Sequence, residues 1–144
     1  MMKTMHQFTN DRTIRFEQYQ KSTFTCIVGS DIITLRISCR SKEIADLLSK
    51  YGVSSAIIIT AHNPDGIIAN PIRNLANEHI MICQLALDDY IFFPAIGGNL
   101  QHSEIGNLVL IDDPEDQLRL MSMYNQEAIV RVSSDGIPEI VSSQ

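Results

Sequence analysis

Residues 54–59, Ser-Ser-Ala-Ile-Ile-Ile, run without a break into Thr60-Ala61-His62-Asn63-Pro64-Asp65-Gly66. An apolar strand that ends in a hydrogen-bond-rich turn ahead of a helix is where α/β proteins place binding or chemistry. The Thr60 hydroxyl, the Asn63 amide and backbone N–H groups could face a ligand at the carboxyl edge of the sheet. Asn63 could equally bond its own backbone two residues on while Pro64 sets the turn, a sufficient structural role. A second polar stretch, residues 97–106, carries His102 and Glu104. If the fold brings the two loops together, His62, His102 and Glu104 form a cluster able to move protons or hold a metal ion, and Glu104 is the best candidate for a catalytic acid. A solvated or salt-bridged Glu104 would serve structure alone.

Asn70 and Asn74 open the next helical stretch. There they could present donors and a partially positive helix end to an anion, although a plain N-cap is the simpler account of Asn70. Gln126 follows a later helix, where its amide can cap loose carbonyls or reach a ligand. Of the other histidines, His6 lies in the N-terminal arm and His79 on an apolar helical face. Gly97-Gly98 matches neither nucleotide-binding glycine pattern, and no nucleophile elbow, metalloprotease helix or kinase signature occurs. The chain therefore nominates a place for Thr60, His62, Asn63, Asn74, His102, Glu104 and Gln126, but no reaction, no cofactor and no metal.

The elements that must position these groups follow from periodicity and turn chemistry. A short helix is expected around residues 14–19. Residues 23–38 alternate around Gly29-Ser30-Asp31 as a hairpin. Ser41 caps a helix with Ile44, Leu47, Leu48 and Tyr51 on one face and Gly52 as its left-handed stop. Residues 56–59 are apolar throughout, as in an interior strand covered on both faces. Asn70-Pro71 starts a second helix, whose Ile72, Leu75, His79, Ile82, Cys83 and Ala86 form the stripe expected to pack on the sheet, and Asp88-Asp89 ends it.

A strand at residues 90–96, a polar loop from Gly97 through Glu104 and a strand at 108–111 come next. Asp113-Pro114 then starts a third helix, and a closing hairpin over 128–141 has Pro138 marking an edge strand. The order is ββαβαββαββ: an α/β (α+β) domain with a mixed β-sheet and about three helices, residues 1–21 forming an N-terminal arm and 22–144 a single domain.

Several of these pieces also carry a family resemblance. Ala56-Ile-Ile-Ile-Thr-Ala-His-Asn-Pro64 is similar to the apolar strand and Thr-Ala-Trp-Asn-Pro signature of the bacterial domain-of-unknown-function family numbered 3293. Tyr19, Ser22 and Phe24 resemble its Tyr-x-x-Thr-x-aromatic start, and Asn74 its helix asparagine. His102-Ser103-Glu104-Ile105-Gly106 resembles its Trp-x-Glu-x-Ser, and Asn125, Gln126, Ala128 and Ile129 its Gly-Gln-x-Ala-Val close. His62 and His102 stand where the family has tryptophan, and the chain contains no Trp. Both substitutions keep a planar ring, so the resemblance implies a stacking or lid role for them rather than proton transfer. Gly106 stands where the family has serine, which removes a hydroxyl nucleophile. The resemblance implies a fold and a site; the family carries no established activity to transfer.

With 144 residues and 44% hydrophobic content the chain suits one domain with a proper core. A net charge of −6 with only 11 scattered Lys and Arg lacks the basic footprint of a nucleic-acid binder. No run approaches a membrane span, and residues 1–11 lack the apolar segment of a secretory signal, so the expected location is cytoplasmic with no membrane partner. Cys26, Cys39 and Cys83 are odd in number, without metal-binding spacing, and are expected to be buried small hydrophobes. The six methionines are expected to fill core gaps. The expected function is binding of a small polar ligand between the 60–66 and 97–106 loops. The alternative is a non-catalytic protein-interaction module using the acidic surface or the C-terminal edge strand, where a homo-oligomer would leave the same signal.

Overall fold

Turn residues and caps divide the chain as their chemistry requires. The computed structural model describes residues 12–99 and 102–143, leaving out the side chain of Asp65; His6 and the rest of the N-terminal arm before Arg12 lie outside the described residues. The elements are α1 (Arg12–Lys21), β1 (Thr23–Val28), β2 (Asp31–Arg36), α2 (Lys42–Tyr51), β3 (Ser55–Ile59), a 3₁₀ turn (Pro64–Gly66), α3 (Pro71–Leu87), β4 (Ile91–Gly98), β5 (Ser103–Leu110), α4 (Pro114–Met123), β6 (Ala128–Ser133) and β7 (Pro138–Ser142). After α1 the order is the expected ββαβαββαββ. Counting α1 gives four helices among the described residues rather than about three.

The caps act as their sequences suggest. The Ser41 hydroxyl accepts from the Ile44 N–H, Gly52 takes the left-handed conformation, and Asn70 Oδ1 accepts from the Ile72 and Arg73 N–H groups at 2.8 and 3.1 Å.

The seven strands form one sheet in the order β2-β1-β4-β5-β3-β6-β7. Every pairing in it is antiparallel, which corrects the expectation of a mixed sheet. The reason is topological. The crossover through α3 carries the chain from β3 to β4, and that through α4 from β5 to β6. Each time the slot between the two parallel strands is filled by an antiparallel one, β5 in the first case and β3 in the second. β3 is buried at all five positions, as its unbroken apolar run requires, and β7 is an edge strand, as Pro138 suggested.

Alternation along the strands sends side chains to two cores. On one face Ile44, Leu47 and Leu48 of α2 pack on Leu35, Ile58, Leu108 and Val130; on the other, Met81 and Leu85 of α3 and Leu120 and Met121 of α4 pack on Ile57, Ile59, Val109 and Ile129.

α3 is turned the opposite way from the expected stripe. Its buried residues are Asn74, Glu78, Met81 and Leu85. Ile72, Leu75, His79, Ile82, Cys83 and Ala86 face outward, with Ile72 77% exposed. The physical reason lies in the turn after β3, where the Ala61 and Asn63 N–H groups find their acceptors in Glu78 and Asn74. The cysteine expectation holds for Cys26, whose thiol burial pushes up to about 12, but Cys39 and Cys83 are exposed because they sit on a turn and on the outward face of α3. Likewise Met81 and Met121 are core residues, whereas Met123 is exposed at the end of α4.

Candidate functional site

Beyond β3 the chain must leave the sheet without stranding its backbone polar groups. Thr60 begins this: its hydroxyl donates to the Ile105 carbonyl of β5 at 2.7 Å and accepts the His62 N–H at 3.0 Å. The Ala61 N–H donates to Glu78 Oε2 at 3.0 Å, and the Asn63 N–H to Asn74 Oδ1 at 2.8 Å. Asn63 sits in the left-handed region (φ 47°), which asparagine tolerates better than most residues. Its side chain does not bond two residues on. It spans outward, Oδ1 accepting from the Ala69 N–H and from Asn74 Nδ2, both at 2.9 Å, while Nδ2 donates to Glu104 Oε2 at 2.9 Å.

The expected 97–106 loop is much shorter in the structure. β4 and β5 form a hairpin with Gly97 opposite Glu104 and Gly98 opposite Ser103, so Glu104 stands on a strand rather than in a loop. The antiparallel register is what extends the strands that far. Glu104 Oε2 also meets His102 Nε2 at 3.0 Å, completing a chain Asn74–Asn63–Glu104–His102. Gly106 allows β5 to lie close to the end of β3: a Cβ there would fall 2.6 Å from the Ile59 carbonyl oxygen.

A cavity of about 90 Å³ lies beside this chain. Thr60, His102, Glu104 and Gln126 contribute to its wall, together with Phe24 and Gly97, the aliphatic Ile58, Val130 and Ile140, and Gln18 and Tyr19 of α1. Two further side chains hold α1 in place. Arg15 makes a two-pronged ion pair with Glu127, through Nε to Oε1 and through Nη2 to Oε2 at 2.7 Å, and the Tyr19 hydroxyl donates to Glu127 Oε1 at 3.0 Å. Burial would push the Glu127 carboxyl up, but the hydrogen bonds and charge of Arg15 and the Tyr19 hydroxyl more than offset it and hold it below the ordinary range. Burial and the Glu127 carboxylate push the Tyr19 phenol far up, so it stays a neutral donor. Gly66 (φ 73°) lies against this ion pair, where a Cβ would come within 2.8 Å of Arg15 Nε and Glu127 Oε1.

The seven candidate residues thus fall into two sets. Thr60, His102, Glu104 and Gln126 reach the cavity, whereas His62, Asn63 and Asn74 are not among its lining residues. Thr60 is already committed to backbone on both sides. Gln126 Nε2 donates to the His62 and Tyr124 carbonyls at 2.9 and 3.2 Å, so it does cap the end of α4. The hydrogen bonds described for Glu104 and Gln126 thus use Oε2 and Nε2, respectively.

The His62 ring is half-buried. Its Nε2 is buried and finds no partner among the described residues, and burial lowers its pKa despite the opposing Glu104 charge, so the ring favours the neutral form. No group of three or more His, Cys, Asp or Glu that could hold a metal ion occurs among the described residues.

Glu78 escaped the sequence reading. It is 4% exposed, accepts from the Ala61 N–H and from Asn107 Nδ2 at 2.7 Å, and burial raises its pKa although both bonds pull it down. The available signal was its isolation: it is the only acid in α3, one turn beyond Asn74.

Residues 59–129 match the model of the family described as Protein of unknown function (DUF3293), which bears out the family resemblance. The matched span holds Thr60, Asn74, Glu104 and Gln126 and leaves out Tyr19, Ser22 and Phe24. No curated protein and no solved structure shows significant similarity to the chain.

Proposed function

We propose that this DUF3293-matching chain binds a small molecule in the cavity between α1, the end of β3 and the β4–β5 hairpin, and that the ligand is a hydrogen-bond donor with a compact apolar body, an amine being the best fit. The observation that carries this reading is that Glu104 and Gln126 stand in the cavity wall with their described hydrogen bonds on Oε2 and Nε2 rather than on Oε1, in company with Phe24, Ile58, Val130 and Ile140. A carboxylate half-enclosed by apolar groups gains most from a cationic or hydroxyl donor, and an anionic ligand would meet repulsion there. Asn63 and His102 both engage Glu104 Oε2 rather than Oε1.

Thermal-shift and calorimetric titrations with small amines, polyols, carboxylates and nucleotides test this. Amines or polyols should raise the melting temperature, and Glu104→Gln should weaken amine binding at least tenfold while leaving the fold intact by circular dichroism. If only anionic ligands bind, or amines bind the Glu104→Gln protein equally well, the reading fails.

A further inference from the structure

α3 carries its polar residues inward and its apolar residues outward, the reverse of a surface helix. Ile72, Leu75, Ile80, Ile82 and Leu87 are 77, 59, 55, 40 and 80% exposed. Ala76, His79, Cys83 and Ala86 fill the spaces between them, and no Asp or Glu lies on that face. Among the described residues nothing covers it.

We infer that this face is the interface of a homodimer in which two copies of α3 pack antiparallel about a two-fold axis passing near His79. The spacing Ile72, Leu75, His79, Ile82, Ala86 is the 3-4-3-4 alternation of a helix–helix seam. An antiparallel pair centred on His79 sets Ile72 against Ala86 of the partner subunit, Leu75 against Cys83 of the partner subunit and Ala76 against Ile82 of the partner subunit. In these three pairs a large side chain meets a small one, the complementarity that close helix packing needs, whereas a parallel pair sets large against large. Antiparallel helix dipoles favour the same arrangement.

The area is sufficient. A 17-residue helix is about 25 Å long and about 10–12 Å across, so its outward half offers on the order of 500 Å². Two copies bury on the order of 1,000 Å², where specific interfaces begin. The net charge of −6 on each chain opposes association elsewhere on the surface, and this patch is the acid-free part of α3. The cavity near Glu104 lies apart from this face, so the inference stands independently of the ligand reading.

Sedimentation equilibrium of the full chain between 5 and 200 µM tests it, with Leu75→Glu and Ile82→Lys as separate variants whose fold is checked by circular dichroism and thermal melting. The expected result is a dimer for the natural chain, at twice 16.2 kDa, and at least a hundredfold weaker association for either variant with its melting profile retained. A Leu75→Cys variant in a Cys39→Ser background should form an intermolecular disulfide to Cys83 of the partner subunit under mild oxidation, which keeps the geometry testable if the charged variants do not fold. A monomer at all concentrations overturns the inference. So does a dimer indifferent to both charges, or a monomer that dimerises only once residues 1–11 are deleted, which would assign the face to that segment.

Discussion

Asn63 and Glu104, 41 residues apart, are joined by a 2.9 Å hydrogen bond from Nδ2 to Oε2, and this contact ties the turn after β3 to the β4–β5 hairpin. Asn63 is buried, and its side chain holds three hydrogen bonds: Oδ1 accepts from Ala69 and Asn74, and Nδ2 donates to Glu104. Those bonds make it the link between the turn, the start of α3 and the hairpin.

Asn63→Ala would strand the Ala69 N–H, the Asn74 amide and one side of Glu104, and would put alanine in a left-handed conformation. The expected loss is about 2–4 kcal/mol, measured as a shift in the urea midpoint. A loss under about 0.5 kcal/mol would show that the network is not the one described.

Glu127→Gln removes the charge that holds Arg15 and leaves the guanidinium buried, with an expected cost of about 2–4 kcal/mol. Hydrogen exchange of α1 should accelerate more than that of β3 or β5, because Arg15 and Tyr19 both anchor through Glu127. Uniform acceleration across the protein would contradict the anchoring role.

Glu78 shapes the pH dependence above the ordinary carboxylate range. Its folded pKa is raised above the ordinary 4.5, so the folded state holds this proton more tightly than the unfolded chain. Its contribution is fully present below pH 4.5 and is lost as pH rises through the folded pKa. His62, lowered from 6.5, acts in the opposite sense, adding stability above 6.5 that is lost as pH falls through its folded pKa. Glu127 is held low and loses its contribution only in acid. Urea titrations at intervals from pH 4.5 to 8 should show the Glu78→Gln protein gaining on the natural chain as pH rises; a constant difference between the two would refute the raised pKa.

Gly106→Ala introduces a Cβ at 2.6 Å from the Ile59 carbonyl oxygen, a backbone atom that cannot step aside cheaply. The expected destabilisation is about 1–3 kcal/mol. Gly106→Ser should cost at least as much. A neutral outcome in thermal melts would mean that β3 and β5 are less closely apposed than described.

The sequence by itself determined the element order, the caps at Ser41, Asn70 and Asp113, the buried character of β3 and the polar turn at its end. Each of these depends on local chemistry: which side chain can reach its own backbone, which residue tolerates a left-handed φ, which run can be covered on both faces. Tertiary structure alone decided the rest. Periodicity shows that α3 has an apolar stripe but not which side of the helix meets the sheet. That was settled by the N–H groups of Ala61 and Asn63, which required Glu78 and Asn74 beneath them and so turned Ile72, Leu75 and Ile82 outward. Pairing is equally non-local. Only the insertion of β5 between β3 and β4, and of β3 between β5 and β6, made the sheet antiparallel and brought Glu104 to Asn63.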